Sequence, residues 1–219
     1  MGDTDKSLTY YLKNHSLVGQ DLTLGEGLGL RMLMSATPCQ QHPASCQTGH
    51  KTPKTAKMAA DHATSVTSHQ FGDYELRMRA PYALNGSGNT CNTGIYAYFT
   101  AGYANKDGKW NEMNFGFHPD RDNGGTEVSC EHHDDTGGYH ETNAKLSFNY
   151  RKSFNTYVIQ LRKDSITWVV NSKTVHHAKA KLTVPMTTRL IMRTNFRDGD
   201  PGFMADTALE VSHFKFTPA

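Results

Sequence analysis

The sequence has no apolar run long enough to cross a bilayer. The stretch Leu28 to Met34 is short and interrupted by Gly29 and Arg31, so no membrane partner is expected. No stretch longer than about ten residues carries a helical period, which excludes a helix bundle. Charge of one sign is also missing: 23 Lys and Arg stand against 21 Asp and Glu, a formal net charge of +2. That balance excludes nucleic-acid binding by phosphate neutralisation. Cysteine is scarce, with four in 219 residues, and no pair has the C-x-x-C spacing of a zinc site. The start Met1-Gly2-Asp3 shows neither a basic segment nor an apolar one, so no leader peptide is expected in this chain.

Glycine, Phe and Tyr are plentiful at 19, 10 and 10 residues, a composition that suits short strands and turns. The 24.4 kDa chain is long enough for one well-cored domain, expected over residues 1–219. Twelve histidines would add positive charge steeply below roughly pH 6.5. Residues 35 to 62 are rich in Ser, Thr, Pro, Lys and His without any period, and read as a long surface insertion. Within it, a disulfide between Cys39 and Cys46 would close a small loop. Cys91 and Cys130 are either a second bridge or two buried thiols.

Period-two alternation marks the strands. Leu22, Leu24, Leu28, Leu30, Met32 and Met34 alternate around a break at Gly25-Glu-Gly27. From Thr64 onward, alternating segments are punctuated by turn residues, as at Asn105-Lys-Asp-Gly108 and Asn171-Ser172-Lys173. Many short strands at this spacing predict an all-β sandwich with a cleft on one curved face.

One segment carries the chemistry. On a strand from Trp110 to Phe117, Met113, Phe115 and Phe117 face the core, while Glu112, Asn114, Gly116 and the following His118 share the other face. Tyr96 and Tyr98 also share a face, and with Trp110 they are candidates for stacking against a ligand. Phe99, Phe115, Phe117, Phe148, Tyr157 and Trp168 read as core.

Six segments in order resemble glycoside hydrolase family 16, the laminarinase and lichenase family of β-glucanases. Phe71-Gly-Asp-Tyr-Glu-Leu-Arg-Met-Arg79, Gly94-Ile-Tyr-Ala-Tyr-Phe99 and Trp110-Asn-Glu-Met-Asn-Phe-Gly-Phe117 carry the similarity. So do Phe154-Asn-Thr-Tyr157, Ser165-Ile-Thr-Trp-Val-Val-Asn171 and the run from Pro185 to Asn195-Phe196. The similarity spans about Thr64 to Phe216 and implies a jelly-roll, concanavalin A-like sandwich. It also favours secretion. The family works through E-x-D-x-E on one strand, with a nucleophile first, an acid/base last and a tuning Asp between them. Such residues are about 13 Å apart along a strand, and leaning side chains close this to the roughly 5–5.5 Å of a retaining pair. In this chain Glu112 takes the nucleophile position, Asn114 the aspartate position and Gly116 the acid/base position. Glycine holds no proton, so the standard dyad is expected to be absent.

The next strand offers a replacement. Glu131 stands where lichenase-like relatives carry a groove-facing Asn, and alternation puts Ser129 and His133 beside it. The expected catalytic residues are therefore Glu112, Glu131 and His133. Asn114, Tyr96, Tyr98, Trp110, His118 and Arg197 are the expected ligand-binding residues. No metal and no cofactor is expected: His132 and His133 are adjacent and face opposite ways, so they cannot share an ion without a bulge. The leading expectation is a repurposed acid/base enzyme acting on a small-molecule or glycan ligand. The alternatives are a lectin-like glycan-binding module and a β-glucan hydrolase with a relocated acid.

Overall fold

The computed structural model describes residues 8–12, 20–23, 30–34, 60–83, 95–104, 110–119, 122–134, 138–194 and 207–219. Side chains are described for 68–82, 96–102, 111–119, 122–134, 138–192 and 207–219. Among these residues there are fourteen strands and no helix. They are β1 (Leu8–Leu12), β2 (Gln20–Thr23), β3 (Leu30–Met34), β4 (Ala60–His69), β5 (Gly72–Ala83), β6 (Ile95–Ala104) and β7 (Trp110–Phe117). The chain continues as β8 (Glu127–His133), β9 (Tyr139–Lys145), β10 (Asn155–Arg162), β11 (Ser165–Val170), β12 (Lys173–Lys179), β13 (Met186–Thr194) and β14 (Thr207–Pro218).

The strands form two seven-stranded antiparallel sheets. The first runs β1-β4-β13-β6-β7-β8-β9 and the second β12-β11-β10-β5-β14-β3-β2. Sequence neighbours often sit apart, as β13 does between β4 and β6, which is the jelly-roll pattern of long crossings between two layers. Alternation explains the packing. Phe99, Met113, Phe115, Phe117, Val128 and Cys130 turn inward from the first sheet. They meet Tyr74, Leu76, Tyr157, Ile159, Trp168 and Val211 of the second. Aromatic edges lock the layers together: Phe117 meets the Tyr157 ring at 5.1 Å between centroids. In β14 a register shift between Val211 and His213 resets the alternation, so that Phe214 still points inward.

Several sequence expectations change in detail. The break at Gly25-Glu-Gly27 separates two strands, β2 and β3, which pair antiparallel. β4 begins at Ala60, so the end of the expected insertion is sheet. Residues 35–59, with Cys39 and Cys46, lie outside the described residues, as does Cys91. Cys130 is a free, buried thiol, and burial pushes its ionisation well above the ordinary range, with the neighbouring Glu131 charge adding to it. Alternation did not reveal β9 and β12, because neither has an apolar face to bury: both are edge strands, exposed along most of their length.

Candidate functional site

The outward face of the first sheet holds a cleft of about 360 Å³. Its walls come from five strands and the residue after β7. Tyr98, Thr100 and Gly102 stand on β6, Glu112 and Asn114 on β7, Glu131 and His133 on β8, Tyr139 on β9, and Arg189 and Ile191 on β13; His118 follows β7.

Register decides which groups meet. Glu112 pairs directly with His133, Asn114 with Glu131, and Gly116 with Ser129. Across an antiparallel pair, opposite residues on one face have Cβ atoms about 5 Å apart. Three residues predicted from two separate segments therefore converge with Asn114 on one patch. The Glu112 carboxylate accepts a hydrogen bond from Thr100 Oγ1 at 3.0 Å. Gly102, opposite Glu112, has φ +148°, and a Cβ there would stand 2.6 Å from the Glu112 Cα. Only glycine permits this close approach.

Gly116 serves a different purpose. A Cβ at this position would lie 2.3 Å from both Glu131 Oε1 and His118 Nε2. The missing side chain leaves room for that pair, in which the imidazole Nε2 and the carboxyl Oε1 share a hydrogen bond of 2.7 Å. Both residues are buried, with 4% of each exposed. Asn114 Nδ2 approaches the other oxygen, Glu131 Oε2, at 3.5 Å. His118 is held by the edges of two rings, Tyr96 and Tyr98, at 5.3 and 5.2 Å. The strand beneath is tied to the opposite sheet by Trp168 Nε1, which donates to the Asn114 carbonyl at 2.7 Å.

The expected site residues thus separate into groups. Glu112, Asn114, Tyr98, His118, Glu131 and His133 are brought together in the cleft. Tyr96 is 1% exposed and packs behind His118, so it supports the site from below and offers no stacking face to a ligand. Trp110 opens β7, but its side chain is outside the description, and Arg197 lies outside the described residues. The short bond to Glu131 comes from His118, whereas His133 lies against the Tyr139 ring at 4.8 Å. The reason is local: His118 is two residues past Gly116 and occupies the space the glycine leaves.

Sequence reasoning missed Thr100, Gly102, Arg189, Ile191 and Tyr139. Alternation contained a signal for some of them. Thr100 and Gly102 continue the Tyr98 face, and Arg189 and Ile191 alternate with the buried Leu190 and Met192. What it did not contain was that β13 lies beside β6.

Residues 35–206 match the family model of Glycosyl hydrolases family 16. The chain belongs to glycosyl hydrolase family 16. Over 126 residues it is 31% identical to a β-glucanase from Brevibacillus brevis, a match covering 57% of this chain and 44% of that relative. The chain therefore spans less than half the length of the curated relatives it matches. Among solved family folds, the Bacillus licheniformis β-glucanase superposes with a TM-score of 0.69 at 17% identity, over 100% of this chain and 95% of that one. A β-1,3-1,4-glucanase (lichenase) derived from a mouse hindgut metagenome gives 0.68 at 16% identity, over 98% and 95%. These structural likenesses show the two-sheet sandwich fold.

Proposed function

We propose that this family 16 chain cleaves β-linked glucan with Glu112 as nucleophile and a relocated proton donor, the Glu131–His118 pair. One observation carries the reading: the volume into which a side chain at Gly116 would project is filled by Glu131 Oε1 and His118 Nε2. A carboxylate reaches from β8 to the place where the family pattern would put one from β7.

The geometry supports a two-carboxylate mechanism. Glu112 and Glu131 are diagonal neighbours across the β7–β8 pair. Such positions are about 7–8 Å apart, and leaning glutamates reach the roughly 5–5.5 Å used by retaining enzymes. The proton shared along the Glu131–His118 bond passes from the carboxyl to the glycosidic oxygen as the Glu112 oxygen attacks the anomeric carbon. The bond to the leaving sugar breaks, and a covalent glycosyl-enzyme forms. In the second half, Glu131 takes a proton from water, whose oxygen displaces Glu112. Thr100 holds the nucleophile and Asn114 holds Glu131. Tyr98, with Tyr139 at the rim and 50% exposed, offers rings for sugar stacking.

The test is release of reducing ends from mixed-linkage β-glucan, paired with glycan-array binding. Glu112→Gln and Glu131→Gln should each lower turnover by about a hundredfold or more, the scale of a lost acid/base or nucleophile. A chain that binds glucan on the array yet releases no reducing ends is the lectin-like module instead, a reading favoured by the neutral Asn114 and Gly116. Neither binding nor cleavage would return the site to small-molecule acid/base chemistry.

A further inference from the structure

We propose that Arg189 makes the cleft selective for β-glucan that carries an anionic substituent, a carboxylate or a sulfate ester, on a sugar seated at the β13 end. The inference rests on the cleft being a glucan site, as proposed above, and adds the chemical class of that glucan.

Register sets the positions. One row of outward residues crosses the first sheet. Arg189 on β13 stands opposite Thr100 on β6, Thr100 opposite Asn114 on β7, and Asn114 opposite Glu131 on β8. Neighbouring strands lie about 4.8 Å apart, so Arg189 is set roughly 10 Å from β7 along the cleft. The cleft is therefore electrically polar. Glu112 and Glu131 stand on β7 and β8, and the guanidinium stands on β13.

Arg189 is half-buried in the cleft wall, and its side chain makes no hydrogen bond or ion pair among the described residues. The two acids of the cleft are engaged elsewhere: Glu112 accepts from Thr100, and Glu131 is bonded to His118. Register puts no acid opposite it either. Its partners there are Thr64 on β4 and Thr100 on β6. An arginine of this kind on an open surface is simply solvated, but a ligand filling the cleft covers this one.

A neutral glucan covering Arg189 strips water from a full charge and returns only hydroxyl contacts. An anion returns a charge-assisted bond, and the planar guanidinium fork takes two oxygens of one anionic group at once. The same polarity restricts where that group sits. Near β7 and β8 it meets the carboxyls of Glu112 and Glu131, whereas at β13 it meets the guanidinium. The cleft thus selects charge on a sugar away from the bond that is cut. Arg189 enters the cleft only because β13 lies between β4 and β6, a placement the order of residues does not reveal.

Equilibrium binding to three polymers tests the inference: a mixed-linkage β-glucan, the same glucan carboxymethylated, and the same glucan sulfated. The full chain is used as Glu112→Gln, so that no polymer is cut during the measurement. At least one anionic form should bind roughly tenfold or more tightly than the neutral parent, the scale of one charge-assisted hydrogen-bonded pair. The tighter of the two names the group. Adding Arg189→Gln should bring the ratio close to one. Equal or weaker binding of both anionic forms by the chain that retains Arg189 overturns the inference, with no substitution at Arg189 needed. So does a preference that survives Arg189→Gln in a folded chain, because that is general attraction to the other cations. Release of reducing ends by the unsubstituted chain is read separately. Anion preference without cleavage refutes the proposed function alone, and cleavage without anion preference refutes this inference alone.

Discussion

The strand pair β7–β8 has two faces, and they bury their atoms by opposite rules. On the inner face Met113, Phe115, Phe117, Val128 and Cys130 bury carbon and sulfur against the second sheet. On the outer face Asn114, Ser129 and Glu131 are almost as deeply buried, yet every one is polar. The inner face is held by area removed from water. The outer face depends on partners: a carboxylate there persists because His118 and Asn114 reach it. A hydrophobic side chain can be trimmed with a loss graded by volume, but a polar site fails when one partner moves.

Four substitutions or conditions sharpen that contrast. The largest stability loss is expected from Phe115→Ala, about 3–5 kcal/mol of unfolding free energy from lost burial and the cavity left behind. Urea denaturation of the variant reads it as a lower midpoint at unchanged slope. On the outer face, Gly116→Ala places a carbon into the Glu131–His118 pair. Overpacking of this kind costs about 1–3 kcal/mol. The same displacement should cut glucan turnover on the order of a hundredfold, far beyond what so small a stability change explains. A kinetic assay at a temperature where the variant stays folded separates the two effects, and near-normal turnover would break the comparison.

Trp168→Phe links the faces. It keeps the core ring but removes the indole hydrogen bond to the Asn114 carbonyl, at a cost of about 1 kcal/mol. A thermal melt measures the loss, and slower turnover in the folded variant would show that the inner face positions the outer one.

The smallest effect concerns His132, an imidazole on the inner face of β8. It stacks on His140 at 4.6 Å and lies 5.9 Å from the Trp168 ring. Burial, assisted by the charges of His140, His176 and His133 and opposed by Asp134, lowers its pKa from 6.5 to about 4. The unfolded chain accepts a proton at about 6.5 that the folded chain refuses until about 4. Stability should therefore fall as pH drops through that window and level off below it. His132→Asn, compared with the unsubstituted chain in melts from pH 7 to pH 4, should flatten part of that decline; parallel curves would show that His132 contributes nothing.

The central strands were legible because both faces of β7 alternate cleanly, so Glu112 and Asn114 could be aimed outward and Phe115 inward from the sequence. Glu131 was placed by the family resemblance, and His133 followed from it by alternation one strand later. The edge strands β9 and β12 were not legible, since Tyr-His-Glu-Thr-Asn-Ala-Lys and Lys-Thr-Val-His-His-Ala-Lys bury almost nothing and leave no periodic trace. Tyr139 and Glu141 were lost with β9. His118 was read as a ligand contact because nothing in the order of residues says that a chain leaving β7 folds back over Gly116.

Periodicity alone determined the class of fold and the side of the sheet on which each residue of β7 stands, because the direction of a side chain on a strand is a local property with a repeat of two. The family likeness and the vacant position at Gly116 were also written in the order of residues. Which strand lies against which was decided only by the tertiary structure. Register between strands far apart in the chain depends on closing the whole sandwich around its core, and that closure brings Glu131 beside His118, Arg189 into the cleft and Glu141 opposite Glu131.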